Sequence, residues 1–501
     1  MAQDSNNNKA NATSKDIKAI VHHDTAGLDE AIHFERSLTF LQACTLYPSA
    51  ILWSAFVSMG VIMLAFDPQL LGNLYAMPQF RKDFGYLYKH EYIIRAPWQT
   101  GLSMGNPVGQ VVGALIAGYP MERFGRKWTF GACVALTACL IFIQFFARSL
   151  QVLLVGELLG GLVLGCYAVI APAYSSEVCP MALRGVLTSY VNLCFVIGQL
   201  LGNAVCAGTS KLSNHWAYSI PFALQKGKLD EAEMVLRRLA SDKVDVGKTL
   251  TVIVETDRLE QELEMGSTYW DCFRGVNLRR TEISMGVYCT QVLSGIYLIN
   301  YGTYFFQLAG LDNDEAFDIG IGFKAVGFLG TIISWPLLIR YGRRKIFNTG
   351  LLVLVVLQII IGILDCIPGR PSGVIWTESS LMLVWNFFYD ISVGPVCFVI
   401  ISETSATRVR SNSIALATAA QGALGCVMTV AIPYMINPDQ ANMQGKLGFF
   451  FGGLAAMCLV WSYLRVPETS GRTYEELDIL FERKVGAKQF QEYVIESEGV
   501  D

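Results

Sequence analysis

Two carboxylates stand where carboxylates are expensive. Asp67 is the only acid in the apolar stretch VIMLAFDPQLLG, and Glu157 sits alone among apolar residues in LLVGELLGG. An ionisable group inside a bilayer costs commonly several kcal/mol and is a functional candidate by default. Chemistry available to such a group is the binding and release of a proton in step with a change of shape. If the two acids lie close together, they share protons and titrate as a coupled pair. The competing reading of Asp67 is a hydrated carboxyl at the outer end of its helix. A second set is mostly neutral: Asn192, Gln199, Gln291, Asn300, Asn386 and Tyr389, with Asp390, all near or inside apolar runs. Donors and acceptors of this kind with an aromatic face suit a small polar solute. Each alone serves equally well as an interhelical hydrogen bond; together they favour a polar central cavity.

A third set is charged and repeated. GYPMERFGRK, Gly118 to Lys127, carries Glu122, Arg123 and Arg126 between two long apolar runs, and RYGRRK, Arg340 to Lys345, carries Arg343 and Arg344 roughly 220 residues later. Glu177 and Arg184 follow one apolar run in SSEVCPMALRG, and Glu403 and Arg410 follow another in SETSATRVRS, with the same seven-residue step. Such Glu/Arg sets can lock one gate conformation by charge pairing and release it in the other. The competing reading is a static interfacial salt bridge worth little.

The elements that must position these residues are membrane helices. Of the 501 residues, 52% are hydrophobic and 16% charged, with a mean hydropathy of +0.40; an ordinary soluble chain is about 25% charged. A hydrocarbon core about 30 Å thick needs about 20 apolar residues per helix. The pattern predicts spans at 48–66, 100–121, 128–147, 151–173, 187–206, 283–306, 319–339, 346–366, 380–402, 413–436 and 447–465. Gly105, Gly109, Gly113 and Gly118 recur on one side of the second span, as close helix packing requires. Segments KGKLDEAEMVLRRLA and TDRLEQELEM read as soluble amphipathic helices, and the tail after Arg465 as water-facing.

Several function classes drop out. A net charge of −4 gives no reason to expect nucleic acid. The thirteen cysteines lack paired spacing, so neither a disulfide framework nor a metal site is expected. No nucleophile–base set is present, and of five histidines His22, His23 and His33 fall in the polar amino-terminal tail, so no enzyme and no cofactor is expected. That tail has no h-region, so no cleavable signal peptide is expected.

The chain resembles the sugar porter family of the major facilitator superfamily, and most the fungal maltose and α-glucoside proton symporters. HFERSLTFLQACTLYP, LLGNLYAMPQF, APAYSSEVCPMALRG, YWDCFRGVNLRRTEIS, NYGTYFFQLAGL, VGPVCFVIISE and VPETSGRTYEELD carry the likeness. The resemblance implies an all-α polytopic membrane protein with the major facilitator fold, built from two pseudo-repeated halves around a central site reached alternately from each side. It also implies sugar uptake driven by protons, with membrane lipid as solvent, in the plasma membrane. Asp67 matches the aspartate of the family's Gly-Tyr-Asp motif, which takes part in proton coupling. Glu157 is in keeping with the α-glucoside branch. Asn192 falls where hexose carriers place a sugar-contacting glutamine, and Gln291 on the first of their Gln-Gln pair.

Three departures stand against the family pattern. Leu64 and Thr418 replace a glutamate and an arginine of maltose-like carriers, and Ile339 stands where the first hinge has Glu122. Largest is the loss of a sixth helix: Gln225 runs at once into KGKLDEAE, leaving eleven spans instead of twelve. A mis-spliced or wrongly delimited exon, or a degenerate carrier, would produce this. Expected divisions are a cytosolic tail at 1–47, a five-span half at 48–225, a helical linker at 226–282, a six-span half at 283–465 and a tail at 466–501. Counting five spans places the later basic loops outside, whereas basic residues favour the cytosol. Besides proton-coupled sugar uptake, the departures leave open a diverged carrier for another small molecule, such as a fungal secondary metabolite, or an inactive truncated one.

Overall fold

The computed structural model describes residues 39–74, 78–88, 91–209, 268–297, 313–367, 372–436, 441 and 443–493. The predicted linker helices, Asn300 and most of the amino-terminal tail lie outside them. A short helix α1 (Phe40–Leu46) leads into α2 (Pro48–Leu74), α3 (Pro78–Phe84) and a small antiparallel ladder, β1 (Tyr86–Tyr88) with β2 (Glu91–Ile93). Then come α4 (Ala96–Phe145), α5 (Leu150–Val178) and α6 (Met181–Thr209). The second half holds α7 (Gly275–Leu293), α8 (Asn313–Arg340), α9 (Arg343–Asp365), α10 (Ser372–Ile391), α11 (Val393–Thr404), α12 (Arg410–Ile436) and α13 (Leu447–Arg465). Helix α14 (Tyr474–Glu482) is the last helix among the described residues.

Among the described residues, nine helical stretches are long and apolar enough to cross a bilayer. One of them is two predicted spans in series: α4 bends at Gly125, whose φ of 77° suits a residue without a side chain. That glycine is the centre of the basic hinge ERFGRK. Helix α7, with Arg279, Arg280 and Glu282 in its first turns, holds the position of the span predicted at 283–306 and begins earlier. The first span is longer than its apolar pattern suggested. It runs to Leu74, so Asp67 lies about 10 Å inside the helix end, and the reading of a hydrated end residue fails.

Helices α4 and α5 meet at backbone contact, which is what the glycine spacing predicts. A Cβ on Gly109 would sit 2.2 Å from the Leu158 carbonyl oxygen, and one on Gly113 1.8 Å from that of Leu162. From the other side, a Cβ on Gly161 would sit 2.3 Å from the Asn106 carbonyl oxygen, and one on Gly165 2.3 Å from that of Gln110. Gly105 instead leaves room for the Glu157 side chain, and Gly118 for Asn412.

All the described basic hinges share one face. The α4 bend pairs with the end of α5, Glu122 takes a hydrogen bond from Asn412 at the start of α12 (3.1 Å), and Tyr474 bonds the Ser176 carbonyl (3.1 Å). Counting spans would have put the later hinges opposite the earlier ones; the packing follows the charge pattern instead. Helix α6 runs parallel to α2: Leu183 packs beside Ala43 near one face, and Asn203 bonds Gln69 and Asn73 near the other. Thr209 and Tyr269, which hydrogen-bonds the Leu115 carbonyl, therefore lie on opposite faces. The tail is not simply water-facing either. Leu477, Leu480, Phe481 and Phe490 are buried, and Arg280 joins Asp478 at 2.6 Å.

Candidate functional site

The two acids are brought together. Asp67 on α2 and Glu157 on α5 are both fully buried, and their carboxyls lie close enough for their charges to interact. Amides frame them: Asn106 donates to Asp67, and Gln144 Nε2 donates to Glu157 Oε1 at 3.0 Å. Glu157 Oε2 has no hydrogen-bond partner among the described residues. One proton held between two such carboxyls would relieve their repulsion and give Oε2 a partner, so the pair can serve as a one-proton cradle. Asn106 and Gln144 themselves come from the two limbs of α4, so the Gly125 bend helps set the cradle.

A second polar network lies where the two halves meet. Asn192 on α6 donates from Nδ2 to Asp390 Oδ1 on α10 (3.2 Å) and to Thr331 Oγ1 on α8 (3.1 Å). Gln199, two turns further along α6, accepts from Lys324 Nζ on α8 at 2.9 Å. Helix α10 stops at Ile391 and α11 starts at Val393, with Ser392 between them at φ −121° and ψ −86°. Such a break is tolerated at membrane depth only where protein or a cavity takes up the freed backbone groups. Here Gln291 Nε2 reaches the Gly394 carbonyl at 3.0 Å, and Gln421 Nε2 reaches Gln291 Oε1 at 2.6 Å. Tyr389 stacks on Trp385, ring centroids 5.4 Å apart. Asn386 donates to the Phe323 carbonyl at 3.0 Å.

The third set forms two ion pairs on the basic face, one within each half, with partners other than those expected. Glu177 pairs with Arg126, which donates from Nε at 3.0 Å and from Nη2 at 2.9 Å. Glu403 takes Arg343 Nη2 at 2.9 Å and the Thr469 hydroxyl at 2.6 Å. The repeat is therefore between hinge arginine and helix-end glutamate. Arg184 and Arg410 do something else: their guanidinium carbons lie 3.9 and 4.1 Å from the centre of the one Tyr474 ring. Arg123 is exposed against its own helix, bonding Tyr119, and Arg344 reaches the Tyr463 carbonyl, so the described contacts of these two do not join the halves.

Sequence reasoning missed Lys324, Gln421 and the tail residues Glu468, Thr469 and Tyr474. Lys324 carried a usable signal, being the one cation within the span predicted at 319–339. The tail carried none, because nothing in PETSGRTYEELD says what it covers. Leu64 is buried in apolar surroundings, and Thr418 returns its hydroxyl to the Ile414 carbonyl at 2.8 Å, as neutral replacements in a helix interior should.

Known proteins resemble this chain in sequence and fold. A family model described as "Sugar (and other) transporter" matches residues 53–226 and 222–481, two stretches that meet where the sixth helix is expected. Maltose permease MAL61 of Saccharomyces cerevisiae is 33% identical over 515 aligned positions, covering 96% of this chain and 83% of the relative. A general alpha-glucoside permease of the same yeast is 34% identical, covering 95% and 82%. Among solved structures, the proton:xylose symporter XylE bound to 6-bromo-6-deoxy-D-glucose superposes with a TM-score of 0.68 at 19% identity, over 87% of this chain and all of that one.

Proposed function

The chain belongs to the sugar porters of the major facilitator superfamily, and from that membership we propose that it takes up an α-glucoside such as maltose together with a proton. The buried carboxyl pair Asp67–Glu157 carries the proposal, because two acids this close can take up one proton where a lone charge would be costly. With the proton in place, Glu157 Oε2 has a partner and the pair bears a single negative charge. Without it, two like charges face one another across α2 and α5, and repulsion favours whichever arrangement separates them. The network around Asn192, Gln291, Tyr389 and Asp390 is the proposed sugar site. Its inter-half hydrogen bonds are those a sugar's hydroxyls replace on binding.

Purified full-length protein in liposomes is expected to accumulate labelled maltose when the lumen is made alkaline. One pH unit is worth about 1.4 kcal/mol per proton, which sustains about tenfold accumulation at one proton per sugar. A protonophore should collapse the gradient of sugar. Uptake indifferent to the pH gradient would overturn proton coupling, and its absence with every α-glucoside tried would overturn the substrate.

On the basic face, Arg126–Glu177 braces the first half and Arg343–Glu403 the second, and Glu403 also holds Thr469 of the tail whose Tyr474 bridges the halves, a set we read as closing the path on that side. Breaking a buried pair by removing one partner costs about 3–5 kcal/mol, so Glu403→Gln shifts the protein toward opening on that side. Cys272, buried beside Ser413, reports this. Its maleimide modification, read by peptide mass, is expected to quicken at least about tenfold in the variant. Unchanged labelling would make the pair a static brace.

A further inference from the structure

Within the inter-half network one residue stands out from the neutral polar set: Lys324, an ammonium 6% exposed in the middle of α8. Its Nζ has three N–H groups, and among the described residues one is accounted for, by Gln199 Oε1 at 2.9 Å. Asp390 acts on it electrostatically, yet the two do not touch as an ion pair. Asp390 in turn is engaged at Oδ1 by Asn192, and no described hydrogen bond reaches Oδ2. Helix α8 is cut away to receive that carboxyl. A Cβ on Gly327, one turn after Lys324, would lie 2.4 Å from Asp390 Oδ2, and one on Gly330 3.2 Å from Asp390 Cβ. Lys324, Gly327 and Thr331 fall on one stripe of the helix, and that stripe faces Asn192, Gln199 and Asp390.

We propose that Lys324 and Asp390 are a specificity-determining donor–acceptor pair that grips neighbouring hydroxyls of the sugar and, by cancelling each other's charge, makes the site select neutral sugars over acidic ones. The proposal rests on sugar carriage as set out above. A carboxylate oxygen accepts from one hydroxyl and an ammonium donates to the oxygen of its neighbour, so a vicinal diol fits between groups that are close but not in contact. Held by a cation alone, the same site would attract a uronate; held by an anion alone, it would repel one.

The test is equilibrium binding to detergent-purified full-length protein, with methyl α-glucoside and methyl α-glucuronide as paired probes. The expected wild-type preference for the glucoside is about tenfold or more. Asp390→Asn should reverse the preference toward the glucuronide, while Lys324→Met should weaken glucoside binding about tenfold and exclude the glucuronide further. Lys324→Gln/Asp390→Asn, neutral at both positions, should bind the glucoside with a preference between those of the single variants. The ratio of the two affinities, not either alone, is the readout, so partial loss of folded protein does not obscure it. Ratios unmoved in all three variants, with wild type binding the glucoside, would overturn the pair's role alone. Wild type binding neither probe would overturn sugar carriage and this inference with it.

Discussion

Asp67→Asn is expected to end accumulation altogether. The ratio of sugar inside to outside should fall from about ten, at a gradient of one pH unit, to one. Exchange of labelled for unlabelled sugar, which needs no net proton movement, should continue. The asymmetry follows from the cradle's geometry. Asparagine can accept from Asn106 and donate to Glu157 Oε2, so the hydrogen bonds survive in new form. What is lost is the exchangeable proton between two acids. Glu157→Gln should behave alike, because either acid alone leaves the other without the repulsion that makes deprotonation change the packing of α2 against α5. Two variants with the same loss of accumulation and retained exchange are what a shared proton predicts. Accumulation persisting in either variant would place the coupling proton elsewhere.

The second large effect is on folding. Gly113→Leu should yield no monodisperse protein in detergent, since its Cβ alone would overlap the Leu162 carbonyl oxygen at 1.8 Å. Ordinary overpacking costs about 1–3 kcal/mol because side chains can give way. Here the obstacle is backbone, at a crossing where Gly109, Gly161 and Gly165 already bring the helices together on both sides. Relief would need α4 and α5 to part along much of their length, and with them Asn106, Asp67 and Glu157. Gly131→Leu is the matched control, because a Cβ there meets nothing within 4 Å and the position is exposed. It should be neutral or slightly stabilising, by up to about 1 kcal/mol of helix propensity. Gel filtration after identical solubilisation separates the outcomes, and a well-behaved Gly113→Leu would show the crossing to be looser than described.

Much of this was legible because membrane helices advertise themselves and because charge inside them is rare. Asp67 and Glu157 stood out for that reason, though only folding could reveal that α2 and α5 bring them together. The same rule applies to Lys324, which its neutral neighbours hide. The ion pairs on the basic face illustrate a different limit. Glu177 and Arg184 are seven residues apart and look like natural partners. But the helix ends at Val178 and restarts at Met181, so the two leave on different axes. The true partner, Arg126, arrives because Gly125 turns α4 back toward the end of α5. A contact made by a bend far away in sequence leaves no local trace. The tail misleads for a related reason. Its apolar face (Leu477, Leu480, Phe481) is visible as a pattern, whereas the arginines of α7 that it covers are some 200 residues distant.

Tyr474 has a mechanical role in this light. One aromatic ring is clasped by a guanidinium from each half, Arg184 and Arg410, at 3.9 and 4.1 Å. The halves cannot part on that side unless the ring surrenders at least one of them. Each clasp is worth about 0.5–2 kcal/mol. In the proposed transport cycle the carboxyl-terminal strap is thus a brake applied from outside the bundle, away from the polar network proposed to hold the sugar.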